Sequence, residues 1–158
     1  MTSITNKNLL HRFWENDRGF KFLIESPFYA GNIQTGVIFI PFKGKKQELP
    51  DFKQYLVFVG WGKEISLPFK LLLFGGIKFG YFIMNFNADY LSKYQRNESE
   101  FSAGVSLSLS YPVLKNLFIS VAPDLTVLFT SEKLKFYYVS AGLAYKFNSP
   151  DWLRSFFN

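Results

Sequence analysis

Five charged residues fall where a β-strand would turn them away from its apolar side: Lys21, Glu25, Glu64, Lys78 and Asp124. Charges enclosed by protein must pair, because an isolated one carries a large desolvation cost. We read the five as a structural ion-pair network; a proton or ion route is the other use such groups could serve. Catalytic residue types are sparse. His11 is the only histidine, and it sits on a polar N-terminal segment without a Ser/Asp pattern beside it. A nucleophile and base would have to be assembled from His11, Ser131 or Ser99, and Asp17, and nothing in their spacing demands it. Glu98 and Glu100 lie two residues apart and share a strand face. They could hold calcium, but no further oxygen ligands follow at regular spacing, so we read a solvated strand edge. Gly75, Gly76 and Gly80 punctuate a strand, lack the strand–turn–helix setting of a phosphate loop, and are expected to make room for bulky neighbours. The chain has no cysteine, which excludes disulfides and thiolate metal sites. No catalytic residue, metal site or cofactor is assigned.

The elements that must carry these charges are strands. In residues 101–112 every odd position (Phe101, Ala103, Val105, Leu107, Leu109, Tyr111) is apolar, and every even position from Ser102 to Ser110 is Ser or Gly. Side chains alternate across a strand, so one face is continuously apolar and the other is lined by hydroxyls. The pattern recurs in residues 133–147, 117–130 and 71–85, and more weakly in 54–65, 32–42 and 18–28. Most of these seven candidates reach the roughly 9–11 residues that a tilted strand needs to cross a bilayer. Strands of soluble proteins average about five or six. Residues 71–85 have a mixed second face, because Leu72, Phe74, Phe82 and Met84 share it with Gly76, Lys78 and Gly80.

Connections alternate in length. Residues 29–31, 66–68 and 112–116 are short turns, whereas 43–53 and 86–100 are long and polar; 131–132 is brief but falls on the long-loop side. Short turns on one edge and long loops on the other mark an outer-membrane barrel. No run of 18 or more apolar residues occurs, so a membrane helix is excluded. With 158 residues the chain makes one domain. Aromatics make up 20% of it and suit both strands and the girdles of a barrel, where a ring bridges hydrocarbon and headgroups. The charge of +6 raises a nucleic-acid reading, but the basic residues form no stripe with an aromatic platform and are mixed with acids over the loops. No nucleic-acid partner is expected. The loop charges could instead meet lipopolysaccharide phosphates.

Residues 140–147 read Ser-Ala-Gly-Leu-Ala-Tyr-Lys-Phe. With Ser140, Gly142, Tyr145 and Phe147 in their places, this stretch resembles the assembly signal in the last strand of bacterial outer-membrane barrels. That resemblance implies recognition by the barrel-assembly machinery. Together with the repeat over residues 18–147, it makes the chain similar to small, about eight-stranded outer-membrane barrel proteins. The tail, with Pro150, Asp151, Trp152 and Leu153, looks like those on barrels of Bacteroidota-type bacteria.

The expected architecture is all-β: an antiparallel up-and-down transmembrane β-barrel of about eight strands, seven of them clear. Residues 1–17 would form a polar N-terminal segment, 18–147 the barrel, and 148–158 a periplasmic amphipathic tail suited to a short interfacial helix. Residues 1–7 lack the apolar core of an export signal, and seven strands is an odd count where bacterial barrels are even. Both make sense if a first strand and a signal precede Met1; alternatively residues 2–10 supply a poor eighth strand. A barrel this narrow is filled by side chains. The expected protein is therefore an integral outer-membrane barrel without an open pore, structural, adhesive or partner-binding and not an enzyme. It would contact the bilayer and lipopolysaccharide, and its loop 86–100 could meet a protein partner. One alternative is a barrel enzyme acting on lipid A acyl chains. Another is a soluble lipocalin-like carrier with its apolar faces turned inward.

Overall fold

The computed structural model describes residues 1–4, 9–46, 49–87, 97–130 and 133–145. The chain forms β1 (Thr2–Ile4), α1 (Leu9–Phe13), β2 (Trp14–Asn16), β3 (Phe20–Phe28), β4 (Gly31–Gly44) and β5 (Phe52–Ser66). A 3-10 turn at Pro68–Lys70 leads to β6 (Leu72–Phe86), β7 (Asn97–Pro112), β8 (Leu117–Leu128) and β9 (Leu134–Tyr145). Every pairing is antiparallel, and each long strand from β4 to β8 lies between its sequence neighbours. The result is an up-and-down, nearly closed barrel of eight strands.

Seven of the eight are β3 to β9, and they match the ranges read from the sequence to within two residues at each end, except at the start of β7. That strand begins at Asn97, so residues 97–100 belong to the sheet, as the strand-face reading of Glu98 and Glu100 expected and the loop bounds 86–100 did not, and Phe86 closes β6. Asn and Glu are poor strand formers. Here the free edge of β6 supplies the partners: Asn97 lies opposite Asn85 and Glu98 opposite Met84, and Asn85 Nδ2 donates to Asn97 Oδ1 at 2.8 Å. Residues 88–96 lie outside the described residues, as do Ser131 and Phe147 and the tail read as an interfacial helix.

The eighth strand is β1. Thr2 lies opposite Ser140 on β9 and also bridges Gly19 ahead of β3, so three residues span the seam. Residues 1–17, expected as a segment ahead of the barrel, thus contribute β1 and β2 to the sheet, and the alternative of a poor eighth strand within residues 2–10 holds for Thr2–Ile4. β2 extends the line of β3 along β4: Asn16 faces Phe42 and Phe20 faces Phe39. Four steps on one strand match three on the other, a bulge around residues 17–19. Toward the short-turn end, β3 from Lys21 onward and β9 from Gly142 onward have no strand on their facing edges among the described residues.

The two faces of the wall are sorted as the sequence alternation demands. Val105, Leu107 and Leu109 point outward, with Leu107 49% exposed, while Ser102, Ser106 and Ser110 are enclosed. Inside, large side chains stand beside small ones on neighbouring strands, which lets a narrow barrel fill. Phe58 has Gly36 and Gly80 as cross-strand neighbours, and Lys78 has Gly60 and Gly104. The ring of Phe74 covers the opposed pair Gly62 and Gly76; a Cβ on Gly62 would lie 2.5 Å from Phe74 Cζ and 2.4 Å from the Gly75 carbonyl oxygen. Of the three glycines expected to make such room, Gly76 and Gly80 do, whereas Gly75 lies opposite the outward Leu107.

Candidate functional site

Three of the five singled-out charges meet in the barrel interior. Asp124, on β8, is wholly enclosed and lies between two ammonium groups. Lys21 Nζ, from β3, donates to Asp124 Oδ2 at 2.7 Å. Lys78 Nζ, from β6, lies 3.1 Å from Oδ1, a close ionic contact. The same ammonium stands over the Phe58 ring at 5.2 Å and the Tyr138 ring at 5.7 Å. Ring faces carry negative potential, so they stabilise the second cation that one carboxylate shares with Lys21. Ser106 Oγ completes the shell by donating to Asp124 Oδ1 at 2.6 Å. Each member comes from a different strand, and sheet register brings them together: Ser106 lies opposite Asp124, and Gly76, two residues before Lys78, lies opposite Ser106.

Glu25 takes part in a separate group. Asn32 Nδ2 and Gln34 Nε2 each donate to one of its carboxylate oxygens, the latter at 2.6 Å. β3 and β4 form a hairpin in which Glu25 lies opposite Gln34, so this group is local where the first is long-range. Glu64 lies on the same inner face of β5, further toward the short turns and opposite Phe74. The expected network of five is thus two groups, a Lys21–Asp124–Lys78 cluster and a neutral-amide cradle around Glu25, with Glu64 near the turn end. Sequence reasoning placed Ser106, Asn32 and Gln34 on the inner face without linking them to the charges. The available signal was register: aligning the dyad of β7 against β8 puts a serine opposite Asp124.

Elsewhere the inner face is apolar. Phe42 and Phe52 stack at 4.5 Å, Phe52 meets Phe86 at 5.2 Å, and Phe82 stacks on Phe136 at 5.2 Å. With Ile38, Ile40, Leu56, Met84 and Leu128 they fill the loop end. Leu10 of α1 and Trp14 of β2 pack against this cluster, and Trp14 Nε1 donates to the Pro50 carbonyl at 2.8 Å. A buried polar contact lies within it: Gln54 Nε2 donates to the Tyr138 hydroxyl at 2.9 Å, while Gln54 Oε1 has no partner among the described residues.

The remaining candidates are spread out. Asp17 bonds the Arg18 amide and lies 3.7 Å from Lys43 on the surface, and His11 lies on α1, where its carbonyl accepts from Lys45. Ser99 is exposed on β7, and Ser131 lies outside the described residues. Glu98 is likewise exposed, on β7. Among the described residues no three His, Asp or Glu side chains gather as metal ligands. Of the assembly-signal residues, Ser140 is enclosed and shares a 2.8 Å hydrogen bond with the Thr2 hydroxyl. Gly142 is open and Tyr145 faces outward. No described helix is long and apolar enough to cross a membrane.

Fold and interior define a small, side-chain-filled, antiparallel up-and-down barrel with charges inside and apolar groups outside. Comparison with protein-family models, with curated proteins and with solved structures found no match to the chain.

Proposed function

We propose that the chain is an integral outer-membrane β-barrel protein with a structural, adhesive or partner-binding role and no open pore. The observation that supports this best is the order of side chains on the outer wall. On β7 the exposed series runs Phe101, Val105, Leu107, Leu109, Tyr111; on β5 it runs Val57 and Val59 to Trp61 beneath Tyr55; on β9 it runs Tyr137, Val139, Leu143, Tyr145. An aliphatic stretch is bracketed by aromatic rings each time. From Phe101 to Tyr111 the strand covers roughly 33 Å at about 3.3 Å per residue. Tilted by about 40°, that is a band close to 25 Å tall, the height of the apolar belt of outer-membrane barrels. A soluble barrel of this size would leave far more apolar surface in water than monomers carry.

The interior supports the same reading. A lipocalin-like carrier would turn its apolar faces inward; here the enclosed groups include Lys78, Asp124 and three serines of β7. In the proposed setting the short turns lie on the periplasmic side and the connection from β6 to β7 on the opposite side, where a partner or lipopolysaccharide would be met. Fractionation tests the proposal. Envelope localisation that resists carbonate, with gel migration that changes on boiling, is the expected result; recovery in the soluble fraction overturns it. Lipid A altered on overexpression would move the assignment to an acyl-modifying barrel enzyme.

A further inference from the structure

The short turns carry side chains that the barrel itself does not use. Phe69 (φ 61°, ψ 28°) and Lys70 (φ 62°) both have left-handed backbone, and Leu71 N donates to the Pro68 carbonyl across them. This is the pattern of a type I′ hairpin turn, whose central positions favour Asn, Asp or Gly because a bulky side chain is strained there. Tyr29, in the two-residue turn between Phe28 and Gly31, has a φ of 49° as well. Neither ring repays that strain by burial. Phe69 is 87% exposed, and Tyr29, set edge to face against Phe28, is 78% exposed. In the third turn Leu114 is exposed too. Strained residues that the fold does not reward point to a contact outside the molecule.

The charges at this end are of one sign. Lys63 on the outer face of β5, Lys70 in the second turn and Lys115 in the third are exposed, and no acidic side chain lies on the outer surface there among the described residues. At the loop end, by contrast, exposed Asp17, Asp51 and Glu98 are mixed with exposed lysines. Depth narrows the choice of occupant. Val113 and Leu114 lie two and three residues beyond Tyr111, the ring that closes the apolar series of β7. At about 3.3 Å per residue and a tilt of about 40°, they stand roughly 5–8 Å past the belt, the thickness of a headgroup layer. Leu72 lies opposite Ser110, so the turn carrying Phe69 starts at the same level.

We propose that the short-turn rim docks on anionic glycerophospholipid headgroups of the leaflet around it. Tyr29, Phe69 and Leu114 seat between the lipids, where rings are favoured. Lys63, Lys70 and Lys115 lay their stems along apolar surface and hold their ammonium groups at the phosphates. A zwitterionic headgroup brings its own cation, so a phosphate without one attracts these lysines more strongly. This inference rests on the membrane reading of the outer wall and adds to it a lipid class and a side.

Refolding into phosphatidylcholine vesicles, alone or mixed with phosphatidylglycerol, tests it. The mixed vesicles are expected to raise the temperature of the heat-induced gel shift. Lys63→Gln/Lys70→Gln/Lys115→Gln should lose most of that rise, whereas Lys43→Gln/Lys46→Gln/Lys53→Gln, which removes the same charge at the loop end, should keep it. No rise in the unaltered protein, a rise that the turn-end variant keeps, or an equal loss in both variants overturns the inference and leaves the membrane barrel standing. Failure to enter either kind of vesicle overturns both. A photoactivatable label on Phe69→Cys, in a chain with no other cysteine, identifies the occupant in cell envelopes. Phospholipid adducts support the inference, and adducts to protein or to lipopolysaccharide overturn it.

Discussion

The two ends of the barrel interior solve the same packing problem by opposite chemistry. At the loop end, Phe42, Phe52, Phe82, Phe136 and Leu128 fill the space with rings and aliphatic groups. Toward the short turns, Asp124 holds two lysines and a serine, and Glu25 is cradled by Asn32 and Gln34. Phe58 and Tyr138 stand at the boundary, apolar toward one side and ring-face toward Lys78 on the other. Volume governs the first region, where close packing makes each methylene felt. Charge pairing governs the second, where the penalty falls on whichever partner is left alone.

Substitutions can break this contrast, and the largest effect should come from Asp124→Ala. It leaves Lys21 and Lys78 enclosed without their shared carboxylate, a loss of about 3–5 kcal/mol, seen as a lower urea midpoint of the refolded protein. Leu128→Ala, with its side chain in the loop-end cluster, should cost about 2–5 kcal/mol through the cavity it opens. Its cost should fall when a neighbouring residue is enlarged to fill the void, whereas no change of volume should rescue Asp124→Ala. Ser106→Ala removes a hydrogen bond to an enclosed carboxylate and should lower stability by about 1.5–3 kcal/mol. Lys78→Met is expected to shift stability by less than about 1 kcal/mol in either direction, because Lys21 still pairs Asp124 and a methionine fills the same space. A large loss in Lys78→Met, by the same unfolding measurement, would show that both cations are needed and would erase the asymmetry between anion and cation.

A further comparison concerns glycine. Gly76→Ala would bring its Cβ within 2.7 Å of the Trp61 carbonyl oxygen and 2.9 Å of Phe74 Cζ, so the wall must shift. Gly142→Ala meets nothing and should leave the described barrel unchanged in heat-induced gel migration.

Much of the barrel was legible because a strand's side chains alternate with a period of two. Residues 101–112 alone separate Leu107 from Ser106, and the structure places them on opposite sides of the wall. The inner charges were legible for the same reason, since parity alone puts Lys78 and Asp124 on the polar face. The blurred second face of residues 71–85 was also informative. Phe74, Phe82 and Met84 share it with Lys78 because the interior is partly apolar, which a count of polar residues could not reveal. The start of β7 carried two readings, a loop over 86–100 by polarity and a strand edge at Glu98 and Glu100, and the neighbouring edge of β6 decided for strand.

The sequence by itself determined the side of the wall on which each residue stands, because parity is a property of the backbone and needs no partner. Only the tertiary structure decided which enclosed groups meet. Lys21 and Asp124 are 103 positions apart, and their contact follows from strand register and barrel closure, which no local pattern encodes. Tertiary structure likewise decided between the two readings of the missing strand: Thr2–Ile4, part of the weak candidate 2–10, closes the upper seam, and its hydrogen bonds exist only once Gly19 and Ser140 flank it.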